Sequence, residues 1–376
     1  MENLNSVAYV GAIQTITPIK DADNIELVLV NGWQAITKKG EYEVGDKVVI
    51  ATTDAIIPQA LSDLMEVTNY LRKGQRVRTV KLRGVYSECL LIPFKYLAPK
   101  SLENNVKDGD DMMVILGITK YEPPVKQVQL SNGRKVRYHQ NPNFRVYHKF
   151  PNQKNVPDMF NEEDEVVITR KIHGTNARYG IVRKKRLSLW DRVKMLFGSQ
   201  WAPFEYVYGS HNVEKGSDSQ GFYDSDVWDT ISTKYDIRNK LWEHVKDTYE
   251  PHDLTEGVVI YGEIYGVGIQ KNYDYNLTEV KFVGFDVEVD GEYEPYINER
   301  IHFSSLGLPK AELLYSGLWS KEEQDKYAFN NYIKGTKVPH EGIVVKHISG
   351  DRRKVSKVIN PDYLIYGEKN NVGDSH

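Results

Sequence analysis

A lysine set between an apolar strand and a small-residue turn is the most chemically informative feature of the chain. Thr169-Arg170-Lys171-Ile172-His173-Gly174-Thr175-Asn176 follows directly on Glu165-Val166-Val167-Ile168. A lysine in that position can point into a cleft, where its neutral amine is a nucleophile. An unperturbed lysine, with a pKa of about 10.4, is neutral in only about one molecule in a thousand near pH 7.4, so its surroundings must favour the uncharged form. Lys-x-x-Gly is a common spacing, and by itself it reads as an exposed strand-end lysine. Four later blocks change that reading: Tyr261-Gly262-Glu263-Ile264-Tyr265-Gly266, Phe282-Val283-Gly284-Phe285-Asp286-Val287, Glu341-Gly342-Ile343-Val344-Val345-Lys346 and Ser356-Lys357-Val358-Ile359-Asn360-Pro361-Asp362-Tyr363-Leu364. Glu263 and Glu341 are hard oxygen donors suited to Mg²⁺, and they also accept well from ribose hydroxyls or an ammonium group.

Positioning these groups takes strands and a few helices. Gly257 to Tyr261, Val280 to Val289 and Gly342 to Lys346 read as buried or half-buried strands, and Ile237, Leu241, Trp242, Val245 and Tyr249 recur at helical spacing. Side chains alternate along a strand, so Thr169 shares the face of Lys171. The same alternation separates Phe282 from Phe285, so only one of them faces a cleft. Residues 7–120 carry short apolar runs broken by Gly, Asn, Asp and Pro, the pattern of a small β-barrel or sandwich. Pro123-Pro124 opens a polar tract that reads as a linker. The expected architecture is α+β.

Ser188-Leu189-Trp190-Asp191 reads as a capping box opening a short basic amphipathic helix. We expect this helix to cover the cleft that Lys171 faces, with a membrane-surface helix as the alternative. The ten histidines show no metal-ligand spacing, a single cysteine makes a structural zinc site improbable, and no Gly-rich Walker loop is present.

Composition narrows the class. The chain has 376 residues, 40% hydrophobic and 27% charged, and no apolar run near the roughly 18–20 residues that a membrane span needs. Neither a secretory leader nor an internal disulfide is expected, which points to a cytoplasmic setting; a viral or phage origin would also fit. The net charge of −3 hides an asymmetry: residues 1–150 carry +4 and the remainder −7. Arg72, Lys73, Arg76, Arg78, Lys81 and Arg83 fall within twelve residues without an acid, and Pro123 to Pro157 holds seven Lys/Arg and no Asp or Glu. Both are candidate phosphate-facing surfaces.

In order along the chain, the five blocks resemble motifs I, III, IIIa, IV and V of the covalent nucleotidyltransferases, the superfamily of polynucleotide ligases and RNA-capping enzymes. The Lys-x-His-Gly-Thr-Asn form is similar to that of RNA ligases. Pro18 to Glu26, Val44 to Ile50 and Leu82 to Pro93 resemble the OB-type leading module of the Deinococcus-type nick-sealing RNA ligases. Two positions depart from the pattern. Arg170 stands where Glu is frequent, and Ser210-His211-Asn212 stands where Ser-Arg is usual, which makes a contact there weaker or pH-sensitive.

The resemblance implies an ATP-dependent RNA ligase that forms a lysyl-AMP, passes AMP to a 5′-phosphate and joins that end to a 3′-OH, at nicks with RNA on the 3′-OH side. Its cofactors would be ATP and Mg²⁺, with Mn²⁺ as an alternative. Its partner would be a nicked RNA or RNA–DNA duplex; no membrane partner is expected, and the protein would act as a monomer. Lys171 would be the nucleophile, with Lys357 beside it holding the α-phosphate. Thr169, Arg170, Ile172, His173, Gly174, Asn176, His211, Glu263, Phe285, Glu341 and Lys346 would line the nucleotide pocket. Glu263 and Glu341 are the candidate metal ligands, and Phe285 the adenine-stacking ring. Arg72, Lys73, Arg76, Arg78, Lys81, Arg83, Arg134, Lys135 and Arg137 would meet nucleic acid, with Arg145 and Lys149 further along the acid-free tract. The implied domains are an OB-like β-barrel module at 1–120, a basic connector at 121–160, and a nucleotidyltransferase domain of antiparallel sheets and helices at 161–376. The competing readings are a non-catalytic RNA-binding protein that kept the fold and another end-activating nucleotidyltransferase.

Overall fold

The computed structural model describes residues 6–97, 102–121, 141–218, 221–222, 226–348 and 354–372. Its first part is a five-stranded antiparallel sheet in the order Trp33–Lys38, Ile25–Val30, Ala8–Pro18, Lys47–Thr52, Cys89–Pro93. The alternation of Val, Ile and Ala along the central strands buries both faces. Ile13, Val28, Val30, Trp33 and Ile50 close one core, and Val10, Val49, Ala51, Ile92 and Met112 close the other. An irregularity between Ile13 and Thr15 bends the long first strand across the two.

The second part holds two further antiparallel sheets. The larger runs Gly221–Phe222, Glu214–Ser217, Phe204–Gly209, Thr175–Arg183, Gly257–Gly266, Val280–Val289, Glu292–Tyr293. One face of it is covered by the helices Val227–Lys234, Ile237–Thr248 and Tyr296–Ser305, whose Ile231, Ile237, Leu241, Val245 and Phe303 pack on Tyr179, Ile260, Ile264 and Phe282. The smaller sheet runs Leu313–Leu318, Glu165–Lys171, Gly342–His347, Val355–Ile359. Ile168, Ile343, Val345 and Val358 anchor its buried face on Phe160 and Ala328. Lys171 therefore ends a strand whose position is set by two paired neighbours.

Residues 141–160, expected to end a connector, are ordered against the second part. The guanidinium of Arg178, almost wholly buried, donates to the carbonyls of Phe144 and Arg145 at 2.8 and 2.6 Å and to that of Ser210 at 2.7 Å. Tyr147 donates to Asp286 at 2.6 Å, and Lys357 N bonds the Pro151 carbonyl at 2.9 Å. A guanidinium so deeply buried needs those acceptors, because an unsatisfied charge in that position costs several kcal/mol, on the order of 3 or more.

Candidate active site

Register decides which side chains meet. Thr169 pairs with Val344 and Val344 with Lys357; two residues on, Lys171 pairs with Gly342. Directly paired residues point to one face, so Thr169, Lys171, Lys346 and Lys357 share a side of the smaller sheet. Glu341, just ahead of Gly342, places its carboxylate 2.7 Å from Lys171 Nζ, and that carboxylate is almost fully buried. Asn360 holds the end of the Lys357 strand: it caps the helix Pro361–Asn370 through Asp362 N and donates to the His340 carbonyl, beside Glu341.

The turn after Lys171 carries the larger sheet into the site. A Cβ on Gly174 would lie 2.3 Å from the Ile264 carbonyl, so only glycine allows the two sheets to approach this closely. Gln270 donates to the Gly174 carbonyl. Asn176 pairs directly with Glu263, and its Oδ1 is buried without a hydrogen-bond partner among the described residues. His173 is buried between Tyr273 and Tyr363, with Tyr363 OH 2.9 Å from its Nδ1 and its backbone N–H donating to Tyr275 OH at 2.6 Å. Ile172 is half-buried in the same turn. His173 thus braces the turn through a tyrosine cluster, which the motif alone did not show.

Burial sets the charges. Desolvation pushes the Glu263 carboxyl up to about 8, with Lys171 opposing the rise and Glu341 adding to it. Desolvation lowers Lys357 to about 8, with the Lys171 charge acting in the same direction. In the sign convention of linkage, a lysine that loses affinity for its proton on folding destabilises the fold below about pH 8, and the cost fades as pH rises towards the ordinary value of 10.5. Lys357→Met should therefore raise the stability of the ligand-free protein at pH 7, by about 3 kcal/mol at most. Thermal melts check this; a variant that melted lower would show that Lys357 is held there for stability.

Phe282 and Phe285 separate as alternation requires, helped by an irregularity between Tyr261 and Gly262 that leaves Phe285 as the extra residue opposite. Phe282 is buried in the helix-covered core against Tyr179, whereas Phe285 lies on the cleft side with its ring 5.0 Å from that of Tyr147. Lys346 lies on the cleft face of its sheet, but its side chain is buried. It donates to the Phe285 carbonyl at 2.7 Å and to Glu299 at 2.9 Å, with Asp286 at 3.3 Å. Lys310 meets Glu299 at 2.8 Å, completing a buried ion cluster that sequence spacing did not reveal.

Three placements differ from expectation. Arg170 points to the opposite face from Lys171, as alternation dictates, and pairs with Glu312 at 3.2 Å. His211 is half-buried near Lys149 and Arg178, and its pKa is pushed down to about 4 by burial first and those charges second. It is therefore neutral throughout the physiological range and does not switch near pH 6.5. The helix Leu189–Leu196 joins Arg183 to Phe204, at the end of the larger sheet remote from Gly174. With the nine-residue strand Thr175–Arg183 spanning about 26 Å, this helix cannot cover the cleft.

The Arg72–Arg83 group sits at the junction of the two parts. Arg76 pairs with Asp54, Arg78 with Glu368 at 3.5 Å and Lys81 with Asp362 at 3.6 Å, while Tyr86 donates to Asp362 at 2.7 Å. Arg72 is half-buried near Glu368, and Lys73 and Arg83 are exposed. Of the acid-free tract, Arg145 pairs with Glu256 at 2.6 Å and Lys149 is exposed near His211. Arg134, Lys135 and Arg137 lie outside the described residues. Among the described residues no cluster of three or more His, Cys, Asp or Glu is arranged to hold a metal ion.

A family profile described as RNA ligase matches residues 164–359, and one described as an OB-fold domain matches residues 7–94. Comparison with curated proteins gives no match. Among solved structures, Naegleria gruberi RNA ligase with PPi is 22% identical, with a TM-score of 0.71 over 97% of this chain and 99% of that one. A variant of that ligase with ATP and Mn is 23% identical, with a TM-score of 0.71 over 97% and 99%. Another variant, with AMP and Mn, is 23% identical, with a TM-score of 0.71 over 98% and 99%. At these identities the likeness is one of fold.

Proposed function

The chain belongs to the RNA ligase family, and on that premise we propose that it seals RNA ends with ATP by way of a covalent AMP on Lys171. The observation that carries this reading is the pairing of Lys171 Nζ with Glu341 at 2.7 Å, on the sheet face that also presents Lys357. Lys171 Nζ attacks the α-phosphorus of ATP, the bond to the β-phosphate oxygen breaks, and pyrophosphate leaves. Glu341 is placed to take the proton that the amine loses. Lys357 sets positive charge beside the phosphorus, where negative charge grows in the transition state. An oxygen of the RNA 5′-phosphate then attacks that phosphorus, the N–P bond breaks, and the lysine regains a proton. Finally the 3′-OH attacks the activated 5′-phosphate and AMP departs.

The orphaned Asn176 Oδ1 is a buried acceptor on the Glu263 side of the cleft, suited to a nucleotide amino or hydroxyl donor. Phe285 offers the adenine-facing ring. Glu263 and Glu341 are hard oxygen donors that would hold a Mg²⁺ or Mn²⁺. When bound, such an ion supplies neutralising charge on the phosphates. The same reading assigns residues 1–120 to nucleic-acid binding, 121–160 to a connection between domains and 161–376 to catalysis.

Nicked duplex with ribonucleotides on the 3′-OH side is the proposed substrate, since a 2′-OH there is available for recognition. Incubation with α-labelled ATP or GTP, then with nicks differing only in the sugar at the 3′-OH end, tests cofactor and substrate together. Label from ATP alone and sealing only of the ribose-ended nick are expected. Equal sealing of a fully deoxyribose nick would overturn the substrate assignment. Lys73 and Arg83 are exposed cations of the module, so Lys73→Gln with Arg83→Gln should reduce the log–log salt slope of nick affinity by about 2 if each meets one phosphate. An unchanged slope would remove them from the binding surface.

A further inference from the structure

The helix Leu189–Leu196 is built the wrong way round for a globular protein. Plotted at 100° per residue, Leu196, Leu189, Val193, Phe197 and Trp190 fall within an arc of about 120°, flanked by Arg192 on one side and Lys194 on the other. Such an arc normally packs on a core. Here it faces solvent: Leu189 is 79% exposed, Trp190 74%, Leu196 86% and Phe197 87%. The side opposite the arc carries Asp191 and Met195, of which Asp191 is the buried one. Asp191, opposite the apolar arc and buried, pairs with Lys184 at 2.6 Å and closes a capping box with Ser188. Lys185 and Arg186 are exposed just ahead of the helix, so four exposed cations surround the apolar face while the helix's single acid is already paired.

From this arrangement we propose that the helix is a surface anchor for an anionic lipid bilayer, lying in the headgroup region with Trp190, Phe197 and the aliphatic side chains inserted. Lysine and arginine stems at the edges of an apolar arc snorkel towards anionic headgroups, and each such cation strengthens attraction to an acidic membrane surface. A nucleic-acid platform fits less well, because Leu189, Val193 and Leu196 offer bases neither stacking nor hydrogen bonds. A second copy of the chain fits less well too, since self-pairing would bring the two sets of cations together. Position also agrees: anchored at this end of the larger sheet, the protein keeps the Lys171 cleft at the other end, clear of the surface. No helix among the described residues is long and apolar enough to cross a membrane, and a helix lying in the interface does not need to cross. The expectation of no membrane partner, drawn from the lack of a spanning segment, does not extend to this geometry.

The test is flotation of the full chain with vesicles of phosphatidylcholine alone or with about a third phosphatidylserine. Binding to the acidic vesicles is expected, weakening with added salt. Trp190→Ser with Phe197→Ser should lower it by about tenfold or more, and Arg192→Gln with Lys194→Gln should remove the preference for phosphatidylserine. Both variants change exposed side chains, so self-adenylylation should be retained and reports that the protein is folded. The proposal fails if the native chain does not float with acidic vesicles or if the Trp190/Phe197 variant floats equally well. It also fails if that variant leaves vesicle binding unchanged while losing RNA affinity or dissociating a dimer.

Discussion

Lys171→Ala and Lys171→Arg should both lose all covalent AMP, while retaining the fold. The alanine variant has no nucleophile; the arginine variant keeps the charge but is never deprotonated near neutrality. Neither disturbs a core, because Lys171 stands at the end of its strand, partly exposed on the cleft face. The last chemical step provides a sharper check, since attack of the 3′-OH on an already adenylylated 5′-phosphate does not use the lysine as nucleophile. Lys171→Ala should therefore seal a chemically pre-adenylylated nick while failing on a 5′-phosphate nick with ATP. Labelled AMP retained by Lys171→Ala would move the nucleophile elsewhere.

The second large effect falls on the two carboxylates. Glu341→Ala and Glu263→Ala should each lower self-adenylylation by about 10²-fold or more, because each removes an oxygen donor that positions the reacting groups. Glu341 acts at 2.7 Å on the nucleophile itself, so its loss should slow the chemical step even with saturating ATP. Glu263 carries a proton for most of the time in the ligand-free protein below about pH 8. If its anion is the working form, the rate should climb between pH 6 and 8, and Glu263→Gln should flatten that climb as well as lower it. Near-normal rates in both variants would return the two glutamates to ordinary strand-end residues.

Much of this site is legible in the sequence, for local reasons. Alternation places Thr169 with Lys171, and the same rule turns Arg170 away towards Glu312, a consequence that motif-matching obscured. Phe282 and Phe285 could be separated by strand period, yet which ring faces the cleft is set by long-range packing: Phe282 pairs with Ile264 on the face that the helices cover. Long-range partners were the hidden part. Glu299 and Lys310 lie far in sequence from Lys346, and their buried cluster exists only once the sheet and the helix Tyr296–Ser305 have packed. The Arg72–Arg83 run was visible as charge, but three of its cations are engaged by Asp54, Asp362 and Glu368. The helix Leu189–Leu196 formed as its capping box requires. It does not cover the cleft, because amphipathicity describes a face and not the direction in which that face points.

Mapping the adduct tests the account most directly. The protein would be incubated with ATP and Mg²⁺, digested under conditions that preserve the phosphoramidate, and its peptides analysed by mass spectrometry. The account predicts the added mass of one AMP on Lys171 and its discharge when pyrophosphate or a 5′-phosphorylated nick is supplied. AMP on any other residue, or a chain that seals RNA without ever carrying AMP, would contradict it.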